Sequence, residues 1–412
     1  MNTHWVGRSA AILILGTASL HAAFYSYVGQ LGPTSALIAW GEINSFGNSI
    51  GRASTPIGNA SVKIDGRTVA ATQNWVVVDG LKPDQVYPYE VDINNAKRAE
   101  GSLRTWEAQS QHFCFFSIGD FGTGHPAQYR VAEVMMKEFD RRQQTGCPVR
   151  FVITVGDNIY ADFRLGGAAA LRSGDLDVHW ETKFFAPYAA LIHQVPFLPT
   201  LGNHDGNASE NRGDLNAYLD NFFFPNNVPA RFYTFIYGGF AQFFALDSTL
   251  NTLVGPPAPQ WAVGTPQDQW LRSTLPASTA TWKIPYYHHP MYDAGPEHNP
   301  SYKDLKDWAE LFEKSGVRVV LSGHEHNFQF SKRDETGGIL YVVSGSGGEL
   351  EAGKVRKKMA REHIAGWAPV HQFLSIEVDG PEMRITPVSP DAFQVLDPEG
   401  KPVSLPITAT AR

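Results

Sequence analysis

The chain has 412 residues, 43% of them hydrophobic and 18% charged, and a net charge of -7. That length exceeds what one hydrophobic core usually serves, so two domains are expected, and the ordinary composition excludes disorder. The acidic balance offers no basic face for a nucleic-acid backbone, although a small anionic substrate remains compatible wherever a metal supplies local positive charge.

At the start, Arg8 precedes the apolar stretch from Ala10 to Leu20, and Ala18, Ala22 and Ala23 offer small residues for cleavage. This pattern reads as a secretory signal over residues 1–23, with a secreted or periplasmic mature protein. The apolar run falls short of the roughly 20 residues that cross a bilayer, and no other window is apolar enough, so no membrane span is expected. The two cysteines, Cys114 and Cys147, are too few for a thiolate metal site. A disulfide in an oxidising compartment and two buried thiols both fit them.

Residues 24–108 show short alternating strands such as Ser35 to Trp40, Ser61 to Ile64 and Trp75 to Val78, divided by Gly, Pro, Asn and Asp turns. The expected architecture there is a small all-β sandwich. The run Leu81-Lys82-Pro83-Asp84 followed by Tyr87, Tyr89 and Val91 resembles the end of a fibronectin type III domain, in which a tyrosine hydroxyl ties a corner to the backbone. From residue 111 to 412 apolar strands alternate with helical patterns, which predicts an α/β domain. Asp304 to Lys314 is a clear helix, with Leu305, Trp308, Ala309 and Phe312 on one face.

Five apolar strands of this second region run directly into potential metal donors. Phe113 to Ile118 leads to Gly119-Asp120, and Phe151 to Val155 leads to Gly156-Asp157-Asn158-Ile159-Tyr160. Pro196 to Leu201 leads to Gly202-Asn203-His204-Asp205, Trp282 to Tyr287 leads to His288, and Val317 to Ser322 leads to Gly323-His324-Glu325-His326. Loops at the carboxyl ends of strands in α/β sheets converge, so these donors are expected to share one site. Carboxylate, phenolate, amide and imidazole donors suit iron, manganese or zinc, and seven exceed the usual four of a structural zinc site. Two ions sharing a carboxylate fit that number.

The ordered blocks GDFG, GDNIY, GNHD, His288 and GHEH resemble the calcineurin-like metallophosphoesterase superfamily, and Tyr160 within GDNIY is similar to the purple acid phosphatases. The resemblance spans residues 111 to 390 and implies a four-layer α/β/β/α sandwich. It implies that Asp120, Tyr160 and His326 hold Fe(III), that Asn203, His288 and His324 hold a divalent Zn, Fe or Mn ion, and that Asp157 bridges them. It further implies hydrolysis of small phosphomonoesters by a metal-bound hydroxide, best at acidic pH. His204 is expected to contact the phosphate and protonate the leaving group, or else to orient its neighbours. His298, ten residues after His288, stands where larger members of the family place a substrate histidine, though loop histidines are also often merely solvated.

Two features depart from the pattern. Pro285 occupies a position the family usually gives to Val, and His289 beside His288 offers a competing ring; His288 is preferred because His289-Pro290 matches the residues that follow the ligand. His125 follows the first metal loop and is a weaker candidate for the pocket wall. Phosphodiesterase or pyrophosphatase activity would use the same donors. An adhesion protein with an inactive second domain would lack some of them.

Overall fold

The computed structural model describes residues 23–43, 52, 55–160, 179–205, 215–249 and 259–411. The expected secretory signal lies outside the described residues, apart from its last position.

The amino-terminal region is all β. Strands β1 (Ala23–Leu31), β2 (Ser35–Ile43) and β5 (Trp75–Asp79) form one antiparallel sheet. Strands β3 (Ala60–Ile64), β4 (Arg67–Ala71), β6 (Val86–Ile93) and β7 (Ala96–Arg104) form another, in the order β4-β3-β6-β7. Alternation along β3 and β6 buries Val62, Ile64, Tyr87, Tyr89 and Val91 while Lys63 and Pro88 face out, as the two-residue period of a strand requires. The Tyr87 hydroxyl accepts the Lys82 N–H at 2.8 Å, which ties the corner to its own turn. Three tyrosines bind this region to the rest of the chain: Tyr89 Oη donates to His193 O at 3.0 Å, Tyr27 Oη to Asn221 O at 2.9 Å, and Tyr25 Oη to Glu181 Oε1 at 3.1 Å. Trp106 is buried against Phe151 and Tyr237, so the connection between the two regions is itself packed.

The second region holds two sheets. One contains β8 (His112–Ile118), β9 (Val149–Thr154), β10 (Phe197–Pro199), β18 (Phe373–Asp379), β19 (Glu382–Val388) and β20 (Ile407–Thr410), in the order β10-β9-β8-β18-β19-β20. The other contains β11 (Tyr233–Tyr237), β12 (Ala241–Ala245), β13 (Trp282–Tyr286), β14 (Val319–Ser322), β15 (Phe328–Ser331), β16 (Leu340–Ser344) and β17 (Ile364–Ala368), in the order β11-β12-β13-β14-β16-β15-β17. Strands β8, β9 and β10 are parallel to one another, as are β12, β13, β14 and β16. Their carboxyl ends therefore point the same way within each sheet.

Alternating side chains on these strands divide two cores. Between the sheets Phe243 stacks on Phe235 and meets Phe115 and Phe151 edge to face, whereas its neighbour Phe244 packs on the opposite face with Leu271, Leu275 and Trp308. That outer face is covered by α2 (Pro266–Ala277) and α3 (Tyr302–Lys314), which buries Leu305, Trp308 and Phe312 as the helical spacing predicts. Helix α1 (Pro126–Gln144) packs against β9 and β18 through Val131, Met135 and Phe139. The layers are thus helix, sheet, sheet, helix, and the expected fold class holds.

Cys114 on β8 and Cys147 just before β9 form a disulfide, which decides between the two alternatives left open by the sequence. The bridge joins the starts of the two strands whose far ends carry Asp120 and Asp157.

Candidate metal centre

Asp120, Asp157 and His324 each follow a glycine at a strand end and each adopt a left-handed backbone, with φ of 55°, 49° and 70°. Such a conformation in a non-glycine residue costs on the order of 1–3 kcal/mol and persists where surrounding bonds over-determine it. Here those bonds run between the loops. Asp120 N donates to Gly156 O, Phe121 N to Asp157 O, and His324 N to both Asp120 carboxylate oxygens at 3.1 and 2.9 Å. A Cβ on Gly202 would collide with the Asp157 carboxylate, so the third loop reaches the centre only with glycine there.

The seven donors named from sequence converge in two halves. Tyr160 Oη donates to Asp120 Oδ1 at 3.1 Å and lies 3.1 Å from His326 Nε2, which stands 3.4 Å from the same carboxylate. On the other side His288 Nε2 lies 2.9 Å from Asn203 Oδ1 and 3.2 Å from His324 Nδ1. Asp157 belongs to both: its carboxylate groups with Asp120 and His326, and its Oδ2 is 3.3 Å from His288 Nε2. That Oδ2 is buried without a hydrogen-bond partner, an arrangement that suits a cation in place of the missing donor.

His288 and His289 both bring a ring nitrogen within 4.8 Å of one on His324, but they differ in their other partners. His288 Nδ1 lies 2.9 Å from Val155 O, which turns Nε2 toward Asn203 and Asp157. His289 instead has Nδ1 2.9 Å from Ser248 Oγ, and its ring packs 4.4 Å from that of His324. Pro285 sits within β13 opposite Phe244 and leaves the orientation of His288 intact. Replacing His288 by Ala is expected to lose one ion per chain, and His289→Ala to retain both; metal analysis of the two variants checks this, and the reverse outcome would exchange their roles.

Charge at the centre is strongly perturbed. Burial drives the Asp157 carboxyl up, but facing His288 and His204 reverse this and hold it below the usual carboxylate range. Burial pulls His288 down, and Asp157 with Asp120 more than offsets that, to about 9. His324 is held far below the usual imidazole range by burial and by the neighbouring His289 and His288. Tyr160 is pushed well above the usual phenol range by burial and then by Asp120 and Asp157. A cation between these groups would favour the phenolate and the neutral imidazoles together.

Several residues support the donors through bonds that their own sequence neighbourhood does not announce. Asp205 accepts from Asn158 N, Ile159 N and Gly202 N, at 3.0, 3.2 and 3.0 Å, and so locks the second donor loop to the third. Its carboxyl is raised to about 7 by burial and by Asp157. Buried Lys183 donates to Tyr160 O at 2.6 Å, while Gln128 holds Lys183 O at 2.5 Å and accepts from Thr123 N and Gly124 N. Glu325 was visible only as the middle of GHEH.

A cleft of about 150 Å³ opens over the donors, lined by Asp157, Asn203, His204, His298, His324 and His326, with Glu297 and Glu351 at its rim. His204 donates its backbone N–H to Asp157 Oδ1 at 2.8 Å, and its ring lies 4.5 Å from that of Tyr160. The His298 ring is 3.9 Å from that of His324. His125 caps α1 on the surface and does not line the cleft.

A family model for the calcineurin-like phosphoesterases matches residues 115–328. The chain belongs to that family. Among curated proteins, human tartrate-resistant acid phosphatase type 5 is 25% identical over 296 residues, covering 66% of this chain and 86% of the relative. Purple acid phosphatase 17 of Arabidopsis thaliana is 26% identical over 259 residues, covering 58% and 70%. In fold, the calcineurin-like phosphoesterase described here resembles PhoD, with a TM-score of 0.65 at 16% identity and coverage of 95% and 94%. It equally resembles a purple acid phosphatase from yellow lupin (Lupinus luteus) seeds, with a TM-score of 0.65 at 15% identity, covering 94% of this chain and 74% of the other. The chain is a dinuclear metallophosphoesterase related to the purple acid phosphatases, and the amino-terminal β region belongs to the same overall architecture.

Proposed function

We propose that this phosphoesterase hydrolyses small phosphomonoesters, best below neutral pH, at a ferric and divalent ion pair. Asp120, Tyr160 and His326 would hold the ferric ion, Asn203, His288 and His324 the divalent Zn, Fe or Mn ion, and Asp157 both. The observation that carries this reading is the division of the donors into two halves around Asp157, with the single phenol in one half and the single amide in the other. A phenolate favours a trivalent hard cation, and a neutral amide leaves its half suited to a divalent one. When bound, the two ions supply the Lewis acidity that polarises the phosphoryl group and acidifies the attacking water.

The protein's own groups would do the rest. His204 stands at the cleft between Asp157 and Tyr160, where its ring meets a phosphate oxygen and supplies a proton to the leaving group. His298 lines the other wall. The disulfide suits an oxidising compartment, in keeping with a secreted or periplasmic enzyme whose first 23 residues are a signal, and the β region of residues 24–108 is read as fibronectin type III-like.

A panel of monoester, diester and nucleotide substrates, assayed from about pH 4 to about pH 9 on the metal-loaded enzyme, tests this. Monoesters should give the highest kcat/KM, with kcat greatest below neutrality. A rate that keeps rising into the alkaline range would argue against the ferric ion, and a preference for diesters would overturn the substrate class.

A further inference from the structure

The loop that carries His298 is gripped by three fully buried polar side chains in alternation, Glu325, Asn327 and Gln329. Glu325 and Asn327 stand in the bends just before β15, and Gln329 on the strand itself. Gln329 accepts from Ala294 N at 2.9 Å and donates to Gly295 O at 2.9 Å; Asn327 donates to the same carbonyl at 3.2 Å. Gln329 also donates to Asn327 Oδ1 at 2.7 Å, so the ladder is internally connected. At its end Glu325 Oε1 accepts Glu297 N at 3.1 Å, and Oε2 accepts His298 N at 2.9 Å.

The same Oε2 lies 3.3 Å from His298 Nδ1. One buried carboxylate oxygen thus holds both the backbone and the ring of His298. The engaged Nδ1 leaves Nε2 as the nitrogen available to a ligand in the cleft, a division set by the second hydrogen bond of the ring. Burying a carboxylate is costly unless it is fully hydrogen-bonded, and much of its bonding here goes to this loop. The segment that supplies His324 and His326 therefore also sets the ring that packs beside them.

We infer that Glu325 is a positioning residue for His298: it fixes the rotation of the ring and presents Nε2 to the phosphate ester. The inference rests on the proposed phosphatase reading. Its test is a double-mutant cycle with Glu325→Ala, His298→Ala and the pair, plus Glu325→Gln, which keeps one acceptor oxygen and so can hold one of the two backbone N–H groups. Metal content, inhibition by inorganic phosphate, and kcat and KM for p-nitrophenyl phosphate would be measured on each.

Each single Ala variant should retain two ions and lose on the order of 10- to 100-fold in kcat/KM, with weakened phosphate inhibition. The pair should lose no more than the worse single variant, because the two residues act as one unit. Glu325→Gln should recover part of the loss. Two ions per chain with additive losses would overturn the inference alone. It would also be overturned by metal loss in Glu325→Gln while His298→Ala behaves as wild type, which would make Glu325 a support of the ligands. A wild-type chain without two ions would overturn the underlying reading as well.

Discussion

Asp157→Asn is expected to lose both ions and to lower kcat on the order of 10³-fold or more, since removing the shared carboxylate dismantles the charge that catalysis relies on. The substitution isolates that charge. Asn tolerates the left-handed backbone at this position, where φ is 49°, and its amide oxygen still accepts the His204 N–H. Metal analysis beside kcat separates this outcome from simple misfolding, and near-normal metal content would contradict the bridging role. The metal-free proteins should differ as well. Burial opposes protonation of His288, yet Asp157 and Asp120 raise it to about 9, so its ion pair stabilises the folded state below the ordinary imidazole range. That stabilisation should be lost as pH rises through about 9, and the slope should be shallower in Asp157→Asn.

Cys114→Ser combined with Cys147→Ser should cost about 3–4 kcal/mol of stability, from the entropy that the cross-link removes from the unfolded chain. The sequence separation is 33 residues, and both cysteines are buried, so the bridge is protected in the folded state. Because it joins the starts of β8 and β9, the metal loops at their far ends should survive in the folded variant. Thermal unfolding would therefore shift markedly while metal content at low temperature stays near two ions. An unchanged unfolding temperature would show that the cross-link constrains little.

Four of the five strand ends were legible because they combine three local signals: an apolar run, a glycine, and a donor. Asp120, Asp157, Asn203 and His324 all have that form. The helix through Leu305, Trp308 and Phe312 was legible for a similar reason, since a single face repeats at the helical period. Sheet order was not. Nothing near Phe373 to Asp379 indicates that β18 lies antiparallel beside β8, because that pairing is set by which edge the preceding sheet leaves open. The roles of Lys183, Asp205 and Glu325 were equally hidden. Each acts on a loop distant in sequence, through bonds to backbone atoms that no residue type announces. His288 and His289 show the boundary: spacing narrowed the choice, and the partners Val155 and Ser248 distinguish the two rings.

The most direct test of a ferric and divalent centre is the visible absorption spectrum of the purified enzyme, recorded with its metal content, for the wild type and Tyr160→Phe. The ligand arrangement predicts two ions per chain, at least one of them iron, and a tyrosinate-to-iron band that disappears in the variant. A colourless enzyme that is fully active without iron, or a band that persists in Tyr160→Phe, would contradict it.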